Sequence, residues 1–80
     1  MNKMNIVELV ELLPDSVKLD VVDFQTVKMK SGEIGTRITL DRILTDVEKT
    51  QMVSERFRGL DCIAQHKYAP EIKCSYFYII

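Results

Sequence analysis

Residues 27–40 read VKMKSGEIGTRITL, and the fold turns on what the Gly-x-x-Gly at positions 32–35 does. One reading is a loop that grips phosphate. The other is the bend of a β-hairpin. Alternation decides between them. Val27 and Met29 lead into the glycine, and Ile34, Ile38 and Leu40 alternate with Gly35, Arg37 and Thr39 beyond it. Side chains on a strand change face at each residue, so both flanks read as half-buried strands. A two-residue turn at Ser31–Gly32 sets Lys30 opposite Glu33 and Met29 opposite Ile34. Opposite charges then face each other, and apolar groups do the same.

A phosphate loop needs backbone amides converging at a helix start, with lysines close by. K homology domains hold their Gly-x-x-Gly between two helices. Here the tetrad lies between strands, and its second residue is the acid Glu33. The hairpin is the expected structure.

The chain has 80 residues, which predicts a single α+β domain over 1–80. Such a domain buries only about 60% of the surface its unfolded chain exposes. Little apolar surface is left to line a deep pocket. Hydrophobic content of 46% and charged content of 29% are those of a folded globule, which excludes a disordered chain. The formal net charge is −1, with 11 basic and 12 acidic residues, so the basic surplus typical of nucleic-acid binders is missing. Met1–Asn5 is polar, and Glu8 and Glu11 interrupt the apolar stretch that follows, unlike a secretory leader or a membrane span. Cys62 and Cys74 are too few for a disulfide scaffold. Free thiols in a reducing, cytoplasmic setting are expected. The initial methionine suggests a complete small gene product.

Before the hairpin, Ile6, Val7, Leu9, Val10 and Leu13 form a wide apolar helical face. Asn5 and Glu8 are placed to cap that helix, and Pro14 stops it. Asp15 and Ser16 are read as a turn. Val17, Leu19 and Val21 then alternate as a strand, and the phase slips to Val22 and Phe24 before returning at Val27. A strand cannot swap faces without a bulge or break. Two irregularities are expected, near Val21–Val22 and near Gln25–Thr26.

After the hairpin, Thr45 and Glu48 form a Thr-x-x-Glu capping box. Val47, Thr50, Val53, Phe57 and Leu60 fall on one face of the helix it starts. Arg56 and Arg58 suit its last turn, and Gly59 its left-handed cap. Met52 lies off that stripe and is expected at the surface, as is Glu48 with Glu55. Leu60–His66 reads as a short strand and residues 68–71 as a turn with Pro70 at its first bend. Ile72–Ile79 is apolar at nearly every position, which marks a central strand. The order is α-β-β-α-β-β: an α+β fold with an antiparallel sheet of about four strands and two helices on one face.

Chemistry is sparse. Cys62, His66 and Cys74 are the soft metal ligands, but Cys-x3-His-x7-Cys lacks a fourth partner. The same residues form no nucleophile–base–orienter set, because Asp61 points to the opposite strand face from His66. The sequence therefore implies no catalytic residues, no metal and no cofactor.

Two features suit binding. Tyr76 and Tyr78 share one face of the last strand and Phe77 takes the other. Lys28, Lys30, Arg37 and Arg42 give the hairpin region a basic bias, whereas residues 1–24 are acidic. In size, charge balance and lack of a catalytic kit, the chain resembles the small α+β proteins of phages and other mobile elements. Many of those block a host defence or polymerase by binding it. The resemblance implies a non-enzymatic inhibitor or regulator that binds a host protein through Tyr76, Tyr78, Lys28, Lys30, Arg37 and Arg42. The alternative is a nucleic-acid-binding domain using the basic hairpin 28–42 with base stacking on the C-terminal tyrosines. A homodimer through a sheet edge or face is a further partner expectation, and no membrane association is expected.

Overall fold

Four antiparallel strands form one sheet in the order β1-β2-β4-β3, and the helical segments carrying Leu13, Val17, Leu44 and Met52 cover one of its faces. The computed structural model describes residues 6–80. The elements are α1 (Ile6–Glu11), α2 (Asp15–Lys18), β1 (Val21–Lys28), β2 (Ile34–Leu40), α3 (Asp46–Gln51), β3 (Phe57–Gln65) and β4 (Lys73–Ile79). With α1 and α2 counted as one helical segment bent at Pro14, the order is the expected α-β-β-α-β-β. The cap expected at Asn5 lies outside the described residues.

The core explains the layering. Ile38 on β2 stands opposite Phe77 on β4, and both are fully buried. Leu40 and Ile79 extend that patch along their strands. Leu13, Val17, Leu44 and Met52 close over it from the helical side. The four strands and the segments carrying Leu13, Val17, Leu44 and Met52 thus contribute to one interior, while Val7, Val22, Ile34, Val47 and Ile63 stay exposed.

β4 is central, hydrogen-bonded to β2 on one side and β3 on the other. Its near-continuous apolar pattern is consistent with that place.

The hairpin at 27–40 forms, in a register one residue away from the expected one. Lys28 faces Ile34 and Val27 faces Gly35. The Gly32 amide donates to the Met29 carbonyl at 2.9 Å, and the Met29 amide donates to the Glu33 carbonyl at 2.7 Å. The loop is therefore Lys30-Ser31-Gly32, a three-residue connection whose last residue adopts φ +91. Only this register puts Phe24 opposite Ile38 on the core face. Nothing lies within 4 Å of a Cβ built at Gly32. Gly32→Ala is therefore expected to cost about 1 kcal/mol through backbone strain alone, read as a fall in the urea midpoint at unchanged slope.

The irregularity expected near Val21–Val22 is present: Val21 faces Leu40 and Asp23 faces Thr39, which leaves Val22 as the extra residue of a bulge. The one expected near Gln25–Thr26 is not. Pairing is continuous from Asp23 to Lys28, and Val27 lies on the face away from Phe24.

Two stretches take other forms than their patterns suggested. Residues 15–18 are a helical turn, not strand. Pro14 at its N-cap cannot continue α1, and Asp15 occupies the first turn where an acid is favourable. The turn aims Val17 into the core and leaves Leu19 86% exposed. The helix begun by Thr45 also ends at Gln51, well short of Leu60. Its capping box is formed as expected. Its buried face is Leu44, Glu48 and Met52, spaced by four, while Val47 and Val53 face solvent. Met52 and Glu48 are thus interior residues, contrary to the surface placement expected of both. Phe57–Leu60 instead begins β3, because β4 needs a second hydrogen-bonding neighbour. The turn expected at 68–71 lies one residue later, at 69–72, where the Ile72 amide donates to the Ala69 carbonyl at 2.8 Å across Pro70.

Candidate functional site

The face of the sheet opposite the core has no second layer over it among the described residues. Strand alternation assigns its members. Tyr78 lies between Arg37 on β2 and Arg58 on β3, and Gln25 on β1 flanks Arg37. In the next row Tyr76 lies between Thr39 and Cys62, with Asp23 beyond Thr39. This surface gathers three of the residues singled out in the sequence, Tyr76, Tyr78 and Arg37.

The two tyrosines are half-buried and meet edge to face, with ring centroids 6.2 Å apart and planes at 87°. That geometry is favourable for aromatic pairs. It also means that the two rings cannot both offer a flat surface to successive bases. Cys62 beside Tyr76 pushes its hydroxyl above the ordinary tyrosine value, first through charge and then through a hydrogen bond. The phenol stays neutral and able to donate. Arg37 donates through Nη2 to the Gln25 side chain, which holds the guanidinium over β1 and β2.

β3 is shaped to receive Tyr78. Arg58 faces Tyr78 and Cys62 faces Tyr76, so β3 bulges between them. Gly59 sits in the bulge with φ +69. A Cβ there would lie 3.1 Å from Cys62 Sγ and 3.5 Å from the Tyr78 ring. Only glycine suits both the dihedral and the close approach of the ring. Arg58 lies on this face with Nη1 donating to the Phe57 carbonyl at 3.0 Å and to the Glu55 carbonyl. Arg58, Gly59 and Cys62 belong to the site, although the sequence pattern assigned the first two to a helix end. The signal that points to them is the apolar β4, which has to pair on both sides.

Lys28 and Lys30 are exposed at the hairpin end of the sheet, Lys28 on the strand and Lys30 in the loop. Strand alternation sets Lys28 on the core side with Phe24 and not among the tyrosines, while Lys30 stands in the loop at that end. Arg42 is elsewhere. Its Nη1 and Nη2 form a bidentate pair with the Glu48 carboxylate, both at 2.7 Å, and its Nε donates to Asp20 at 2.6 Å. Glu48 also accepts from Ser16 Oγ at 2.5 Å and from the Thr45 amide at 3.0 Å. The guanidinium ties α2, the turn at Asp20 that leads into β1, and the start of α3 together, so Arg42 is a structural anchor. Arg42 first, then the Ser16 and Thr45 bonds, hold the Glu48 carboxyl well below the usual carboxylate range against the opposing effect of burial.

The remaining chemistry-bearing side chains are dispersed. His66 Nδ1 accepts from the Tyr68 and Ala69 amides, each at 3.1 Å, and so fastens the β3–β4 turn. Burial pushes the Cys74 thiol up, with Asp41 adding to it. Both cysteines are free. No group of three His, Cys, Asp or Glu side chains arranged to hold a metal occurs among the described residues. No helix of the described residues is long and apolar enough to cross a membrane.

No protein-family model, curated protein or solved structure matches this chain.

Proposed function

We propose that this chain is a non-enzymatic protein-binding module, acting as an inhibitor or regulator through the uncovered sheet face. The observation that carries this reading is the Tyr76–Tyr78 pair, held half-buried beside Arg37 and Arg58 on a face over which the described residues set no second layer. Tyrosine and arginine are the residues most favoured at the centres of protein interfaces, because each combines a large apolar body with a polar end. The central strand and the Gly59 bulge fix the rings in place, which lowers the entropy lost on binding.

The fitting partner is a protein surface with apolar ground and carboxylates. The carboxylates would meet Arg37 and Arg58 beside Tyr78, with Lys28 and Lys30 adding positive charge from the hairpin end, while Asp23 is the one acid in the rows around the tyrosines. The likeness to small mobile-element proteins supports a host protein as that partner. Base stacking is the less favoured use, because the rings stand nearly perpendicular.

The test is capture of partners from a host lysate with and without nuclease. A specific protein is expected to be retained after nuclease treatment. Tyr76→Ala and Tyr78→Ala are each expected to weaken its binding by about 10- to 100-fold, measured well below the lowered thermal midpoint that loss of a half-buried ring brings. Charge reversal at Lys28 and Lys30 should act mainly on the association rate and its salt dependence. Retention that disappears with nuclease and falls steeply with salt would move the assignment to nucleic acid.

A further inference from the structure

We infer that the β1 edge of the sheet pairs with the β1 edge of a second copy of this chain, antiparallel and centred on Thr26, to form one continuous sheet across a dimer. This inference is independent of what the tyrosine face binds.

The two edges of the sheet differ in how they are protected. Edge strands present unpaired amide and carbonyl groups, and proteins blunt them with bulges, glycine, proline or charge. The β3 edge carries such devices: Gly59 at φ +69, a register shift between Arg58 and Cys62, and Asp61 within that shift. The β1 edge has one bulge, at Val21–Val22. From Asp23 to Lys28 it is in regular register with neither glycine nor proline. Among the described residues no strand pairs with β1 on its outer side.

Backbone direction fixes the pairing. The Met29 amide bonds inward to Glu33, and hydrogen-bonded pairs alternate along an antiparallel ladder. Val27, Gln25 and Asp23 therefore bond inward to β2. Phe24, Thr26 and Lys28 direct their amides and carbonyls outward. A two-fold axis normal to the sheet must pass beside one of these outward residues or beside one between them. When it passes beside Thr26, Thr26 faces its own copy, and Phe24 of each chain faces Lys28 of the other. On the opposite sheet face, Gln25 then faces Val27 of the second copy.

The side chains suit that register. Phe24 and Val27 are each half-buried and stand on opposite faces of β1. Each has an uncovered flank that a neighbouring strand would close. The Lys28 stem of the second copy covers Phe24 while its ammonium reaches water, and the Gln25 stem covers Val27. Thr–Thr is a favourable cross-strand pair. Antiparallel pairing also keeps like charges apart. The two Lys28 residues lie four positions out of register, about 13 Å along the strands. Asp23 of one copy comes opposite Met29, with Lys28 and Lys30 on either side of it. Parallel pairing would set acid beside acid and lysine beside lysine. The two-fold axis leaves both tyrosine faces on the same side of the joined sheet.

The test uses the full chain. Light scattering after size exclusion is expected to give twice the 9.3 kDa chain mass. Thr26→Pro removes an outward amide that the fold itself does not use, and should return the mass to 9.3 kDa with circular dichroism unchanged. If Thr26→Pro misfolds, Thr26→Lys serves instead, since it sets two lysines directly opposite and should give the same monomer. In a Cys62→Ser background, Thr26→Cys is expected to oxidise to a linked dimer, because facing Cα atoms there are about 5.5 Å apart. Lys28→Cys is expected not to. A monomer at all concentrations, a dimer that survives both Thr26 variants, or equal crosslinking at positions 26 and 28 would each overturn the assignment.

Discussion

Phe77→Ala is expected to cost about 4 kcal/mol, the range found for deleting a buried phenylalanine. A domain of 80 residues has total stability of about 4–12 kcal/mol. The variant should therefore lose about 20 °C of thermal midpoint or fail to fold. The position explains the size of the effect. Phe77 is fully buried at the middle of the central strand, opposite Ile38, and meets Phe57 edge to face at a centroid distance of 6.0 Å. Its removal opens a cavity bounded by both central strands and the helical layer, and the ladder on either side prevents the backbone from closing it. Phe57→Ala is the control. Phe57 is only half-buried on the edge strand, so about half the loss is expected. Urea unfolding followed by circular dichroism measures both. Equal losses at the two positions would show that the interior is not centred on β4.

Glu48→Ala is expected to cost about 3 kcal/mol. Glu48 is 5% exposed and satisfies Arg42, Ser16 and the Thr45 amide at once. Its loss leaves the partly buried guanidinium with Asp20 as its remaining carboxylate and removes half of a capping box. Arg42→Met combined with Glu48→Ala should recover part of that loss, since the guanidinium leaves together with its buried carboxylate and Asp20, 36% exposed, can turn to water. The same network predicts a pH dependence. The folded-state pKa of Glu48 lies well below its ordinary value of 4.5, chiefly through Arg42. A carboxyl depressed on folding contributes stability that is fully present above the unfolded value and is lost as pH falls towards the folded one. Stability should hold from pH 7 to about 5 and fall steeply below about 4.5. In Glu48→Gln that fall should be visibly shallower. An identical acid limb in the two proteins would place the titrating group elsewhere.

Local chemistry was legible wherever it is settled within a few residues. Thr45 and Glu48 specify their capping box whatever lies around them, because both partners lie in one helical turn. Pro14 stops α1, Pro70 sets the turn before β4, and the alternation around residues 27–40 marks a hairpin. Tyr76 and Tyr78 fall on the face opposite Phe77 because strand geometry leaves no other choice. For the candidate site, the sequence therefore supplied the tyrosines and Arg37. It could not supply Arg58 and Gly59, whose strand assignment depends on a partner strand distant in sequence, nor the place of Cys62 beside Tyr76.

What the tertiary structure decided was each case in which two local readings were nearly equal in energy. The apolar spacing from Val47 to Leu60 satisfies a helix, yet residues 57–65 pair with β4, because a buried central strand cannot leave one row of backbone groups without partners. Hairpin loops of two and three residues both suit Ser31–Gly32, and the three-residue loop wins by placing Phe24 over Ile38. Glu48 reads as a surface acid until Arg42, six residues before it, and Ser16, 32 residues before it, are brought to it by the fold. Propensity and capping act over one turn and are worth tenths of a kilocalorie to about one. Burial and ladder completion act between distant segments and are worth several, so they prevail wherever the two conflict.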